Sequence, residues 1–263
     1  MGTSTALPRP RADPWSAVSE FTRWRGWSKA PPDPGRPPAP EPTAEQEEKA
    51  ERLAERLRAA LSRSLCDDPE MSGLRRAALR AGENLVGVLG ELQDGRSGLF
   101  TAPSGTTARQ REDEFVTRFV VAVGGGGGLI GDAVARRAAR SAAERLLAEA
   151  APATAPAGDG LPVRLTGEVF CDVYRFFFGE FVGEFVRTVI SESLPLAVVP
   201  FALPVDPTGL VAGAVTRQVI AVLPDPCAEA GGREPRPGLL TETAHELLNA
   251  TVEHALGLRE EQP

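Results

Sequence analysis

The chain has 263 residues, a formal net charge of −7, 42% apolar residues and 25% charged residues. These values are those of a globular chain and exclude wholesale disorder or a wholly membrane-embedded protein. The acidic balance argues against a dedicated nucleic-acid binder, which would carry a basic face.

Residues 1–43 read as a disordered, Pro-rich arm. Pro8, Pro10, Pro14 and the run from Pro31 to Pro42 cannot sustain a helix or a strand. Over the first 40 residues Arg9, Arg11, Arg23, Arg25, Lys29 and Arg36 outnumber Asp13, Glu20 and Asp33, so that stretch is positive and the remainder strongly negative. One island interrupts it. Asp13-Pro14 is a helix-start pair, and Trp15, Val18, Phe21 and Trp24 follow at intervals of three, with Trp27 beyond. Disordered segments are poor in aromatics, so this spacing predicts a short amphipathic helix that docks. Its docking partner is the chain's own body, a partner protein or a membrane surface. Met1 to Pro8 shows no apolar secretory stretch, and Ala6 stands where myristoylation wants Ser or Thr.

The body reads as all-α, a multi-helix bundle of about seven helices. Thr43 and Gln46 form a capping box, and Ala50, Leu53, Ala54, Leu57, Ala60 and Leu61 make one apolar stripe, predicting a helix over 44–65. Met71, Leu74, Ala78, Ala81, Leu85, Val88 and Leu92 alternate spacings of three and four, a heptad seam on a helix from Pro69 to Gln93. Its neighbour is expected to be the first helix or another subunit. After a loop over 94–106, a third helix covers 107–123. Gly124 to Gly128, five consecutive glycines, predict a break, since each costs a helix about 1 kcal/mol relative to Ala. An Ala-rich helix resumes over 129–150.

Residues 151–162 form a linker rich in Ala, Pro and Gly. The most apolar helix follows, over 165–192, with Phe170, Val173, Tyr174, Phe177, Phe178, Phe181, Phe185, Val189 and Ile190. Asp206-Pro207 starts a helix over 208–222, residues 225–238 read as a Pro/Gly loop, and a last helix covers 240–257. Short strands near 163–166 or 197–203 stay open. The division expected is an N-terminal sub-bundle at 44–150, a C-terminal Phe-rich sub-bundle at 163–258 and a tail at 259–263. One shared core is the alternative.

Catalytic and metal motifs fit poorly. The glycine run lacks the Lys and Ser or Thr of a phosphate loop. His245 and His254 lie nine residues apart on one helix, about 900° of rotation and so on opposite faces. Glu242 and His245 form one Glu-x-x-His element where a di-iron bundle needs two. Asp67-Asp68-Pro69-Glu70 reads as capping. Cys66, Cys171 and Cys227 are far apart and odd in number, which predicts a reduced cytoplasmic chain. No uninterrupted apolar stretch reaches the ~20 residues of a membrane span.

The repeat Gly179-Glu180-Phe181-Val182-Gly183-Glu184-Phe185-Val186 places glycines and phenylalanines in separate rows. Phe177, Phe181, Phe185, Gly179 and Gly183 are therefore expected to form a core ladder or a self-association face. The functional expectation is a non-enzymatic interaction or adaptor protein. It would need no cofactor or metal, bind no nucleic acid, and dock a protein partner through Trp15, Val18, Phe21, Trp24 and Trp27. Alternatives are a membrane-associating protein that inserts its Gly-rich and Phe-rich helices, peripheral in location, and a ligand-binding or enzymatic bundle with a cavity near Phe177 and Phe181.

Overall fold

Thr43 opens the first helix, α1 (Ala44–Asp67): its hydroxyl accepts the Gln46 N–H at 3.3 Å, and Gln46 Oε1 accepts the Thr43 N–H at 2.9 Å. The computed structural model describes residues 42–95, 107–149, 165–193 and 207–258. The expectations for the arm, the 151–162 linker and a strand at 197–203 lie outside them. The helices that follow are α2 (Leu74–Gln93), α3 (Ala108–Gly124), α4 (Ile130–Glu149), α5 (Gly167–Ser193), α6 (Pro207–Val222), α7 (Pro226–Gly231) and α8 (Leu239–Ala255). Among the described residues there is no strand, and the fold is all-α.

Two boundaries differ from expectation. The second helix begins at Leu74, not Pro69, because Ser72 (φ 55°) and Gly73 (φ 66°) take left-handed backbone that an α-helix cannot hold. A single 3-10 turn at Met71–Gly73 leads in, and Met71 is still buried. Within the expected 225–238 loop, residues 226–231 form α7. Asp225 caps it by accepting the Cys227 N–H at 2.9 Å, with Pro226 at the first helical position.

The five glycines do break the chain between α3 and α4. The connection is pinned: Asp132 Oδ2 accepts the Leu129 N–H at 2.9 Å, Arg80 from α2 pairs with the other carboxylate oxygen, and Arg136 donates to the Gly127 carbonyl at 2.9 Å. A Cβ on Gly127 would sit 2.0 Å from Asp132 Oδ2, so any larger residue there would displace the carboxylate.

α5 is the centre of the bundle. It packs against α2, α4, α6, α7 and α8. Its aromatics fill the interior, with Tyr174, Phe177 and Phe178 meeting edge-on at centroid separations of 5.1 and 5.2 Å. Tyr174 Oη lies 2.9 Å from Thr251 Oγ1, and burial pushes its phenol well above the ordinary tyrosine range. The seam of α2 is buried throughout, but α2 packs on α3, α4, α5 and α8. α1 instead lies along α6, where Arg217 reaches Glu51 at 2.6 Å and Gln218 Nε2 reaches Glu51 Oε2 at 2.8 Å. Helices from both sides of the linker thus contribute to one continuous apolar cluster.

Candidate functional site

Trp15, Val18, Phe21, Trp24 and Trp27 lie outside the described residues. The Phe and Gly rows of α5 are inside them. Phe177, Phe181 and Phe185 are buried, and Phe177 and Phe181 lie 6.4 Å apart between ring centroids. Gly179 and Gly183 face α6 at very close range. A Cβ on Gly179 would stand 3.0 Å from the Thr216 carbonyl oxygen, and one on Gly183 3.0 Å from that of Ala212. Within this chain, the repeat is a helix crossing.

The two glutamates of the repeat sit beside that crossing. Glu184 is buried, with Arg187 Nε at 3.2 Å and Arg137 Nη1 at 4.0 Å. Glu180 has Thr216 Oγ1 at 3.1 Å. Burial raises the Glu180 carboxyl above its usual range. The Thr216 hydroxyl works against this rise, the Glu184 charge adds to it, and Arg187 and Ser141 oppose it. The Thr216 hydroxyl is also 3.1 Å from the Ala212 carbonyl, and its single proton can serve only one of these acceptors at a time. These groups form a partly buried polar network beside the crossing, and neither cleft described next is lined by it.

The larger cleft, about 480 Å³, opens at one end of the bundle between the end of α2 (Gln93, Asp94), α7 and the segment from Arg233 to Leu240. Its arginines are committed: Arg233 to Glu246 at 2.6 Å and Glu229 at 3.3 Å, Arg236 to Glu242 at 2.6 Å. A smaller cleft, about 260 Å³, lies between α1 and Ala255 to Gly257, where the Ser62 hydroxyl donates to the Gly257 carbonyl at 2.6 Å.

On the wall of the larger cleft lies a group that sequence spacing did not connect. Cys171 and Cys227 are joined in a disulfide with a Cα–Cα distance of 5.9 Å. This corrects the expectation of a fully reduced chain: a gap of 56 residues says nothing about proximity once α7 folds back over the start of α5. The Asp225-Pro226 pair is the signal that could have found α7, since it repeats the Asp-Pro pattern read as a helix start elsewhere. Cys66 is free and exposed. Arg175, one turn after Cys171 on α5, holds its Nη1 4.0 Å from Asp225 Oδ2 and donates from Nη2 to the Ile220 carbonyl at 2.6 Å.

Among the described residues, neither histidine belongs to a group of three potential metal ligands. His245 Nδ1 lies 3.0 Å from the Thr241 carbonyl and His254 Nδ1 2.7 Å from that of Ala250, all four residues on α8. Glu242, the partner in the Glu-x-x-His pattern, is paired with Arg236. Among the described residues, no helix is long and apolar enough to cross a membrane. No protein-family model matches this chain, and neither a curated protein nor a solved structure matches it.

Proposed function

We propose that this chain is a non-enzymatic interaction protein whose N-terminal aromatic segment docks a partner protein while the helical bundle serves as the body it carries. One observation supports the reading: all three tryptophans of the sequence lie at positions 15, 24 and 27, where Trp15, Val18, Phe21 and Trp24 recur at intervals of three ahead of the Pro-rich run. Tryptophan is among the residue types most enriched at binding hot spots. The Pro-rich run between Pro31 and Pro42 separates the two parts and would hold the body near whatever the aromatic segment binds, raising its effective concentration there.

The test compares three chains in affinity capture with quantitative mass spectrometry. They are the full protein, a truncated chain beginning at Pro42, and a full-length Trp15→Ala, Phe21→Ala, Trp24→Ala variant. The truncation starts at Pro42 because Thr43 caps α1. The expected result is a partner set held by the full chain and lost by both others, with the melting temperature unchanged. Equal capture by the chain beginning at Pro42 would sink the proposal.

A further inference from the structure

We infer that Cys171, Cys227 and Asp225 form a binding site for a thiophilic divalent cation of the zinc class, which the chain offers when its disulfide is reduced. The Sγ atoms of Cys171 and Cys227 and a carboxylate oxygen of Asp225 all lie within 4.8 Å of one another. Two thiolates and a carboxylate on rigid supports are a donor set that soft, tetrahedral cations accept. Cys171 is carried in the first turn of the long helix α5, while Asp225 and Cys227 are the cap and second residue of α7.

The distances suit the ion once the sulfurs part. Zinc–sulfur bonds of about 2.3 Å in a tetrahedron place two sulfurs about 3.8 Å apart, a spacing that small side-chain rotations reach from backbones 5.9 Å apart. Asp225 uses Oδ1 to accept the Cys227 N–H, while Oδ2 faces Arg175 at 4.0 Å. Two thiolates and a carboxylate around a doubly charged cation leave one net negative charge, and the Arg175 guanidinium stands beside it. The bond from Arg175 Nη2 to the Ile220 carbonyl at 2.6 Å holds that compensating charge in place, and its buried Nε has no hydrogen-bond partner. The Gly167 carbonyl oxygen lies 3.1 Å from Cys227 Sγ, placed to accept the thiol proton in the metal-free reduced chain.

Access comes through the larger cleft, which is lined by Cys227, whereas Cys171 is 5% exposed. A dithiol reductant therefore attacks Cys227 Sγ. The sulfur–sulfur bond breaks, Cys171 leaves as the thiolate, and a mixed disulfide forms on Cys227. The second thiol of the reductant then releases Cys227 and closes the reductant's own disulfide. One cation replaces the two thiol protons and takes Asp225 as third ligand, leaving a fourth position for water from the cleft. Disulfide and metal are mutually exclusive occupants of the same sulfurs.

The experiment uses the full chain, reduced with dithiothreitol and desalted under nitrogen, with zinc as the probe and Cys66 as the internal control. The oxidised chain should retain no zinc and the reduced chain one per molecule. Zinc should slow iodoacetamide labelling of Cys171 and Cys227 roughly 100-fold at 100 times the dissociation constant, leaving Cys66 unchanged. Asp225→Asn, which still accepts the Cys227 N–H, should weaken retention by at least about 10-fold. Cobalt in place of zinc should give a thiolate charge-transfer absorption. Equal labelling with and without zinc overturns the site. So does equal protection of Cys66, retention by the oxidised chain, or undiminished retention by the Asp225→Asn protein.

Discussion

Replacing Gly183 by alanine tests the reading of the α5–α6 crossing. A helix interior gains about 1 kcal/mol when Gly becomes Ala, so on propensity alone Gly183→Ala should stabilise. The structure says otherwise. The new Cβ would lie 2.4 Å from Thr216 Oγ1 and 3.0 Å from the Ala212 carbonyl oxygen. The hydroxyl can turn away, but the carbonyl is held in the backbone of α6, so the helices must separate. Overpacking of this kind costs about 1–3 kcal/mol; two close contacts, one of them to backbone, argue for the upper half, and the net loss is about 1–2 kcal/mol. Gly87 on α2 supplies the control, because a Cβ there meets nothing within 4 Å, so Gly87→Ala should gain about 0.5–1 kcal/mol. For a body of this size each kcal/mol moves the melting temperature about 2–4 °C. In urea and thermal unfolding the two variants should therefore move in opposite directions. Adding Thr216→Ala should recover part of the Gly183→Ala loss, with a coupling of about 1 kcal/mol in the double-mutant cycle. A Gly183→Ala protein as stable as Gly87→Ala would refute the close crossing.

Three further outcomes follow from the same geometry. The folded carboxyl of Glu180 titrates above its unfolded value, so ionising it costs stability as pH rises from the unfolded pKa through the folded one. Glu180→Gln should therefore melt higher than the parent at pH 7, with the gap closing as pH falls toward 4.5, the ordinary glutamate value; a gap independent of pH would count against it. Thiol titration in denaturant should find one reactive cysteine before reduction and three after. Reduced, alkylated chain should lose about 4 kcal/mol, the chain-entropy value for a closed loop of the 56-residue separation between Cys171 and Cys227; a loss below about 1 kcal/mol in calorimetry would refute the cross-link's role. Asp132→Ala strips the acceptor from the Leu129 N–H and the partner from half-exposed Arg80. A loss of about 1–3 kcal/mol is expected, with Asp132→Asn losing less because one acceptor remains; equal losses in chemical denaturation would contradict this.

Much of the helical body was legible because its signals are local. Ala50, Leu53, Leu57 and Leu61 repeat at helical spacing and are all buried, and the Thr43 capping box forms as the residues spell it. The same Thr-x-x-Gln pattern caps α3 at Thr107 and Gln110. What failed to show was partnership. An apolar stripe declares that a helix has a buried face without saying against what, so the docking of α1 on α6 had no sequence signature. The candidate sites suffered the same way. Glu180 and Glu184 look like surface charges on a repeat until α4 and α6 half-bury the first and bury the second, and Cys171 meets Cys227 only because a six-residue helix turns back across the start of α5. The left-handed backbone at Ser72 and Gly73 is unannounced too: it lies where Gly131 of α4 packs against the Gly73 carbonyl, a contact that no local pattern declares.

The docking of α1 on α6 also sets a schedule for the newborn chain. Glu51 finds Arg217 and Gln218 only after residues 207–222 have been made, and Ser62 waits for Gly257. At about 5–20 residues per second, the stretch from Asp67 to Val222 takes roughly 8–30 s to synthesise. Throughout that interval the leucine stripe of α1 lacks α6, its main partner among the described helices, while α2, α3 and α4 can already close on one another. The first of the described helices to be made is among the last to be docked on its partner, so chaperone dependence and aggregation during synthesis should concentrate on residues 50–65.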